Sequence, residues 1–235
     1  MSWTERAAYG VYGVALDHAD TGGKKNRFMD LVHRTAIEQA LRAGGGHYRR
    51  ALDFGCGGGR LLPLLTRFAA EVYGVGRTPA CLEMARTQTS VPPERLLCWR
   101  DGPLPFADGF FDCLLCVYVL LTTDALHALT LEMGRVCARG ATAIVLEQAD
   151  NGRGLTLAEY REHFAAAGLS IVDARAIRQS AGSRAMRLAT RTWAGPGLAA
   201  LAARWELARM RRRHHGPATP GYYDYLFRLR KTGGD

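Results

Sequence analysis

Apolar and polar positions follow two different periods along the chain, and the periods predict strands and helices in alternation. Short apolar runs bounded by glycine or polar residues predict buried strands, whereas apolar residues three and four positions apart predict amphipathic helices. The predicted strands cover residues 51–54, 72–75, 96–99, 111–119, 141–146, 169–177 and 222–229. The predicted helices cover residues 24–43, 60–70, 79–88, 124–137 and 157–167. This alternation predicts an α/β fold with a doubly wound, seven-stranded, mostly parallel sheet.

The last two predicted strands are separated by residues 179–221 instead of by a crossover helix of ordinary length. Within that insertion, residues 197–213 predict an amphipathic helix. The side chains expected on its apolar side are Leu198, Leu201, Trp205 and Leu207. We therefore predict a single domain with an N-terminal helical arm (1–46), a core (47–178), a helical insertion (179–221) and a last strand with a tail (222–235).

Composition narrows the class of protein. The chain has 235 residues, of which 48% are hydrophobic and 23% charged, so it has enough apolar mass for one core and is not a disordered protein. It lacks an apolar run of membrane-spanning length and begins without the apolar segment of a signal peptide. We expect a cytoplasmic protein with reduced thiols. Cys113 and Cys116 would face opposite sides of a strand, so we expect no metal between them.

The net charge of +9 comes mostly from one segment. Residues 178–213 contain nine arginines, no lysine and one acid, Glu206. Four interpretations stay open: a lid whose arginines hold an anionic acceptor, a helix that docks on an acidic membrane surface, an RNA-binding surface, and a solvated surface helix or subunit contact. We rank the lid first among the functional interpretations. We rank RNA last because no known RNA-binding module accompanies the segment.

A glycine-rich loop follows the first predicted strand, in the sequence ALDFGCGGGRL. It contains Asp53-x-Gly55-x-Gly57-x-Gly59, in which glycines permit a tight turn and let a ligand lie against backbone. In doubly wound sheets ligands bind beyond the carboxyl ends of the strands, where this loop is expected. The dinucleotide pattern G-x-G-x-x-G is broken by Arg60, and no P-loop lysine follows. Nicotinamide and ATP sites are therefore excluded.

This segment resembles motif I of the class I S-adenosylmethionine-dependent methyltransferases. Three later segments resemble the same family in the same order: EVYGVGRTPACLEMAR, LPFADGFFDCLLCVYVLL and LTLAEYREHFAAAGLSIVDAR. The resemblance covers residues 49–178, with YYDYLFRLRK as the closing strand. It implies a Rossmann-like fold and S-adenosylmethionine as cofactor, and it leaves the acceptor open.

The resemblance also implies which residues contact the cofactor. The residues expected around the methionine part are Asp53, Gly55, Cys56, Gly57, Gly59, Cys116 and Val117. Asp101 is expected near the adenine amino group, although an alternative alignment puts Arg100 there. Tyr12, with Tyr9, could close over the cofactor, because an aromatic face suits a sulfonium.

One position departs from the family pattern. The family has an acidic residue after the second strand that binds the ribose hydroxyls, whereas this chain has Gly76, followed by Arg77. Three explanations stay open: another residue or a water substitutes, the cofactor binds weakly, or the site has been altered. The loss of one carboxylate would cost about 1–3 kcal/mol.

The expected reaction is transfer of a methyl group to oxygen of a small molecule or glycan, which could be phosphorylated or lipid-linked. A hydroxyl acceptor benefits from a general base, for which the candidates are Glu147, His18, His214 and His215, with Glu147 first. Two alternatives remain. One is an RNA methyltransferase that uses the arginines, and the other is a cofactor-binding scaffold without turnover. The sequence leaves the oligomeric state open.

Overall fold

The computed structural model describes residues 3–17, 19–20, 23–120, 125–149, 155–179, 184–190, 195–212 and 223–233. The strands are β1 (Tyr48–Phe54), β2 (Ala69–Gly76), β3 (Leu96–Cys98), β4 (Phe111–Val117), β5 (Cys137–Ala149), β6 (Leu169–Gln179) and β7 (Tyr223–Lys231). The helices are α1 (Trp3–Ala7), α2 (Gly10–Ala15), α3 (Lys24–Ala43), α4 (Leu62–Leu65), α5 (Pro79–Gln88), α6 (Leu126–Val136), α7 (Leu157–Ala166), α8 (Arg184–Ala189) and α9 (Pro196–Arg212).

The seven strands form one sheet in the order β3-β2-β1-β4-β5-β7-β6. The pairs among β1 to β5 are parallel, whereas β7 runs antiparallel to both β5 and β6. The order reverses between β1 and β4, and it is at such a reversal that loops diverge and leave a crevice. The prediction of a doubly wound, mostly parallel seven-stranded sheet is confirmed.

Successive residues of the central strands enter two separate core layers. Ala51 joins the layer under α3, α8 and α9, while Leu52 joins the layer under α6 and α7. This is the two-residue period expected of a strand buried on both faces. Cys113 and Cys116 likewise lie in opposite layers. Within the described ranges, no three His, Cys, Asp or Glu side chains gather into a potential metal site.

The helix predicted over residues 60–70 is wrong for most of its length. Only Leu62–Leu65 is helical, because Ala69 already begins β2 and pairs with Tyr48. The carbonyl of Phe68 accepts a hydrogen bond from the Tyr48 amide at 2.8 Å. Sheet pairing at the start of β1 therefore overrides the helical preference of the segment.

The insertion contributes α8 and α9, and the predicted apolar side of α9 is wrong for Leu201 and Trp205, whereas Leu207 is buried as predicted. Leu201 and Trp205 are 61% and 47% exposed. The buried side consists of Ala202, Ala203, Glu206, Leu207 and Met210. This side faces α3 and β6, and its small alanines let the helices approach closely. The carboxylate of Glu206 is enclosed there and accepts hydrogen bonds from Arg209 at 2.7 and 3.2 Å.

Several helices begin or end at residues that are typical of helix ends. Thr156 and Glu159 form a capping box at the start of α7, and Gly168 ends that helix with φ +67°. Thr78 precedes α5, but its side chain makes no capping hydrogen bond. In the parts of the chain that the structure describes, no helix has the length and apolar character needed to cross a bilayer.

Candidate functional site

A pocket of about 380 Å³ opens at the carboxyl ends of β1, β2, β4 and β5. Its floor is the glycine-rich loop after β1, and its sides are the loops that follow β2 and β4. The N-terminal arm adds Val14 and Leu16, and α3 adds Met29. The volume and the mostly apolar wall are typical of a small-molecule site.

The glycine loop is shaped by positions that only glycine fits. Gly55 has φ +86°, and a Cβ there would overlap the Val119 side chain in the loop after β4. Gly55, Cys56 and Gly57 line the pocket. Gly59 has φ +84°, but a Cβ at this position would press on Ala85 of α5. Gly59 therefore serves the packing of α5 and does not line the pocket.

Asp53 is the next-to-last residue of β1 and lines the pocket with only 3% of its surface exposed. Burial raises the pKa of this carboxyl from 3.8 to about 7, and the positive charge of Arg60 acts in the opposite direction. Among the described residues the Asp53 carboxylate accepts no hydrogen bond. The site is therefore suited to a ligand that brings a cation or a hydrogen-bond donor to Asp53.

Arg60 lies on the same pocket wall and is 6% exposed. Its Nη1 donates to Asp30 Oδ1 at 2.6 Å, and Arg34 donates to the other oxygen of Asp30 at 2.7 Å. The Nε of Arg60 is buried and has no hydrogen-bond partner in the described part of the chain. A buried N–H of this kind is costly unless a ligand accepts its hydrogen bond.

The wall after β2 contains Gly76, Arg77 and Thr78. Gly76 is buried, and a Cβ there would lie 3.4 Å from Leu82. Arg77 is exposed at the pocket rim. The acidic residues of the described lining are Asp53 and Glu147, so no carboxylate of that lining takes the position after β2.

Glu147 lies on β5, fully buried, and holds the loop after β4. Its Oε1 accepts hydrogen bonds from the amides of Val119 and Leu120, both at 2.7 Å. This loop contains Tyr118, a non-glycine residue with φ +56°. Left-handed backbone at a tyrosine is strained, and the Glu147 hydrogen bonds are one reason that it persists.

Behind Tyr118 lies a buried polar cluster that we call the His33 cluster: His33, Tyr118, Arg178 and Asp224. The Tyr118 hydroxyl is 3.2 Å from His33 Nε2, which is 3.5 Å from Asp224 Oδ2. Arg178 donates to the same Asp224 oxygen at 2.5 Å. Burial lowers the pKa of His33, while Arg178 and His33 lower the pKa of Asp224 against the opposing effect of its burial.

The structure brings together some of the residues expected from sequence and not others. Those that line the pocket are Asp53, Gly55, Cys56, Gly57, Gly76, Arg77, Val117 and Glu147. Asp101 is exposed and lies outside the lining. Cys116 is fully buried in the α6–α7 core layer. His18, His214 and His215 lie outside the described residues.

Tyr12 and the insertion also lie elsewhere than expected. The Tyr12 hydroxyl donates to Asp30 at 3.5 Å, and Val14 and Leu16 take the pocket-facing positions of the arm. No described residue of α8 or α9 lines the pocket, so this part of the insertion is not a lid. Met29, Arg60 and Tyr118 also line the pocket, although they are not among the residues expected from the sequence. Only Arg60 had a signal, since it follows the glycine loop directly.

The core of the chain is similar in sequence to known methyltransferases. Residues 52–145 match the family model described as "Methyltransferase domain". Demethylmenaquinone methyltransferases from two strains of Tropheryma whipplei are 31% identical over 137 residues. Each match covers 52% of this chain and 56% of the relative, so the chain spans about half the length of these curated relatives.

Solved structures extend the similarity to the whole fold. A putative methyltransferase complexed with the Haloferax volcanii Trm112 activator has a TM-score of 0.65 at 18% identity, covering 99% of this chain and 98% of that one. A geranyl diphosphate methyltransferase has a TM-score of 0.62 at 18% identity, covering 98% and 96%. The [4+2]-cyclase SpnF has a TM-score of 0.60 at 21% identity, covering 86% and 80%. At these identities the likeness shows the fold alone.

Proposed function

The chain carries a class I S-adenosylmethionine-dependent methyltransferase domain, and from that premise we propose that it transfers the methyl group to a hydroxyl of an apolar small molecule. The observation that carries the proposal is the pair of buried, oppositely charged side chains, Asp53 and Arg60, beside the glycine loop. When bound, S-adenosylmethionine supplies a methyl group activated by a sulfonium.

The pair fits the amino-acid end of this cofactor. Asp53 has a carboxylate without a hydrogen bond among the described residues and a pKa of about 7, so a nearby cation favours its ionised form. Arg60 has a buried Nε that lacks an acceptor in the same ranges. An ammonium and a sulfonium near Asp53 and a carboxylate near Arg60 would satisfy both groups. We therefore assign the methionine part to this wall.

The ribose contact must be made without a carboxylate after β2. We assign it to the hydroxyl of Thr78, which lines the pocket two residues beyond Gly76. A neutral hydroxyl gives a weaker hydrogen bond than a carboxylate does, by about 1 kcal/mol. Gly76 lets the ligand approach the backbone where a side chain would stand.

The acceptor class follows from the wall formed by the arm and α3. Val14, Leu16 and Met29 give that wall an apolar surface, which favours an apolar acceptor over a glycan. The curated relatives are named for demethylmenaquinone, and one structural neighbour contains geranyl diphosphate as GPP. Both names are compatible with an acceptor that has a large apolar part.

Two side chains are assigned to the acceptor hydroxyl. Glu147 is the carboxylate that we propose as proton acceptor, because it lines the pocket and two backbone amides fix its position. Tyr118 is proposed to orient the hydroxyl, with its phenol held by His33. Alignment of acceptor and methyl group supplies much of the acceleration in such a displacement.

The test is S-adenosylhomocysteine formation with separate panels of apolar phenols and alcohols, sugar phosphates, and RNA. We expect turnover in the apolar panel, loss of turnover in Glu147→Gln and Arg60→Ala, and normal turnover in Asp101→Asn, a matched substitution outside the pocket. Turnover only with RNA would favour the RNA methyltransferase. Cofactor binding without turnover in any panel would favour a scaffold.

A further inference from the structure

The outer surface of the insertion combines exposed apolar and cationic side chains. Leu201 and Trp205 are four residues apart on α9, so they lie next to each other on its outer side, 61% and 47% exposed. On α8, which packs against α9, Leu188 is 36% exposed. Of the large hydrophobic side chains that are exposed in the described ranges, half belong to these two short helices.

The charged side chains that the described parts of α8 and α9 expose all have a positive sign. Arg184, Arg187 and Arg204 are exposed on α8 and α9. The only acidic residue between positions 178 and 213 is Glu206, which is fully buried and bound to Arg209. The one acid of the segment is therefore buried, whereas Arg184, Arg187 and Arg204 are exposed on its outer face.

We propose that this surface, which we call the α8–α9 patch (Arg184, Arg187, Leu188, Leu201, Arg204 and Trp205), docks the protein on a bilayer that contains anionic lipids. Tryptophan and leucine side chains gain by entering the headgroup region, and arginines pair with lipid phosphates. The proposal concerns a surface outside the pocket and stands independently of the proposed reaction.

The alternatives match the patch less well. A nucleic acid would use the arginines, but it offers no environment for Leu188 and Leu201. A second copy of this chain would bring two surfaces of the same positive charge together. The inner side of α9 is buried through Ala202, Ala203 and Leu207, so the helix can dock as folded.

The test is co-sedimentation of the full chain with large vesicles of phosphatidylcholine, alone or with roughly one third phosphatidylglycerol. We expect binding to the anionic vesicles that weakens as salt rises, and little binding to the neutral ones. Leu201→Ser/Trp205→Ser and Arg204→Glu should each weaken binding roughly tenfold or more.

Matched controls come from the opposite side of the sheet. Leu131→Ser removes a leucine of α6 that is 41% exposed, and Arg161→Glu reverses an exposed charge on α7. Both should bind anionic vesicles as the parent does. Far-ultraviolet circular dichroism and thermal unfolding establish that every variant folds.

Three results would overturn the proposal. One is equal binding to neutral and anionic vesicles. Another is loss of vesicle binding in the controls to the same degree as in the patch variants. The third is binding to a structured RNA in preference to vesicles, reduced by Arg204→Glu and unchanged by Leu201→Ser/Trp205→Ser.

Discussion

The charge of Asp53 in the pocket changes with pH near neutrality, because its folded-state pKa of about 7 lies above the ordinary 3.8. A raised carboxyl pKa means that the folded chain binds more protons than the unfolded chain between these two values. The free energy of unfolding contributed by Asp53 therefore falls as pH rises through this window. A bound cation reverses the preference by favouring the ionised form.

We predict that S-adenosylmethionine binding at about pH 6 releases protons, and that affinity rises about tenfold from pH 6 to pH 8. Calorimetry in two buffers with different ionisation enthalpies measures the proton release. Asp53→Asn should bind weakly and lose the pH dependence. Equal affinity and no proton release in the parent at both pH values would show that Asp53 does not face a cation.

Gly55 lets two loops of the pocket pack closely, because its lack of a side chain leaves space for Val119. Gly55→Ala should lower the free energy of unfolding by about 2–4 kcal/mol, the sum of left-handed strain and a steric overlap, and weaken cofactor binding. Gly102→Ala is the matched control, since Gly102 has φ +74° and nothing within 4 Å of the added Cβ. Urea unfolding of both variants should separate strain from overlap, and equal losses would refute the overlap.

The sequence identified the glycine loop and Asp53 because spacing along one segment is enough to reveal them. It did not reveal Arg60 as a pocket residue or Tyr118 at all. Their roles depend on Asp30 of α3 and on His33, which lie far from them along the chain. Contacts between residues far apart along the chain produce no periodic pattern in the local sequence.

At the scale of elements, the His33 cluster joins α3, β6 and β7. Asp224 is fully buried with Arg178, so its carboxylate offsets a charge that no solvent reaches. Asp224 has a lowered pKa, so its contribution to stability is present above pH 3.8 and lost as pH falls through the folded-state value. The pKa of His33 is also lowered, so its contribution to stability is likewise lost as pH falls below 6.5.

Asp224→Asn should therefore lower the free energy of unfolding by about 3–5 kcal/mol, because Arg178 stays buried without its partner. Adding Arg178→Met should restore part of the loss. Asp173→Asn, which weakens a half-exposed pair at 3.8 Å, should change stability by less than about 1 kcal/mol. Urea unfolding near neutral pH measures these changes. A loss in Asp224→Asn as small as in Asp173→Asn would mean that the pair contributes little.

The elements were predictable from sequence where period and end signals agreed, as in α3 and α7. The helix over residues 60–70 failed because the pairing of Ala69 with Tyr48 is not local. The buried side of α9 failed because large apolar side chains were assumed to face inward. Ala202 and Ala203 face inward there together with Leu207 and Met210, while Leu201 and Trp205 remain outside.

At the scale of the whole molecule, the sheet order places four strand ends around one pocket, and the arm closes its side. The doubly wound, mostly parallel sheet and the pocket edge were predictable, because the alternation of strands and helices indicates the first and the glycine loop indicates the second. The reaction does not follow from the fold, as the similarity to a [4+2]-cyclase illustrates. It has to be argued from Asp53, Arg60 and the apolar wall.

Removal of residues 1–16 should leave the sheet folded and weaken cofactor binding about tenfold, since Val14 and Leu16 no longer cover the pocket. Asp17 is kept because it binds Asn26 near the start of α3. Tyr9→Ala, which changes an exposed arm residue outside the lining, should bind normally. Undiminished affinity in the truncated chain would show that the arm does not contribute to cofactor binding.

The most direct test of the central claim is calorimetric titration of the full chain with S-adenosylmethionine and S-adenosylhomocysteine, with NAD as control. We predict saturable one-to-one binding of both adenosyl ligands, weakened in Arg60→Ala and unchanged in Asp101→Asn, and no heat from NAD. Absence of binding by both adenosyl ligands, or binding that Arg60→Ala leaves intact, would contradict it.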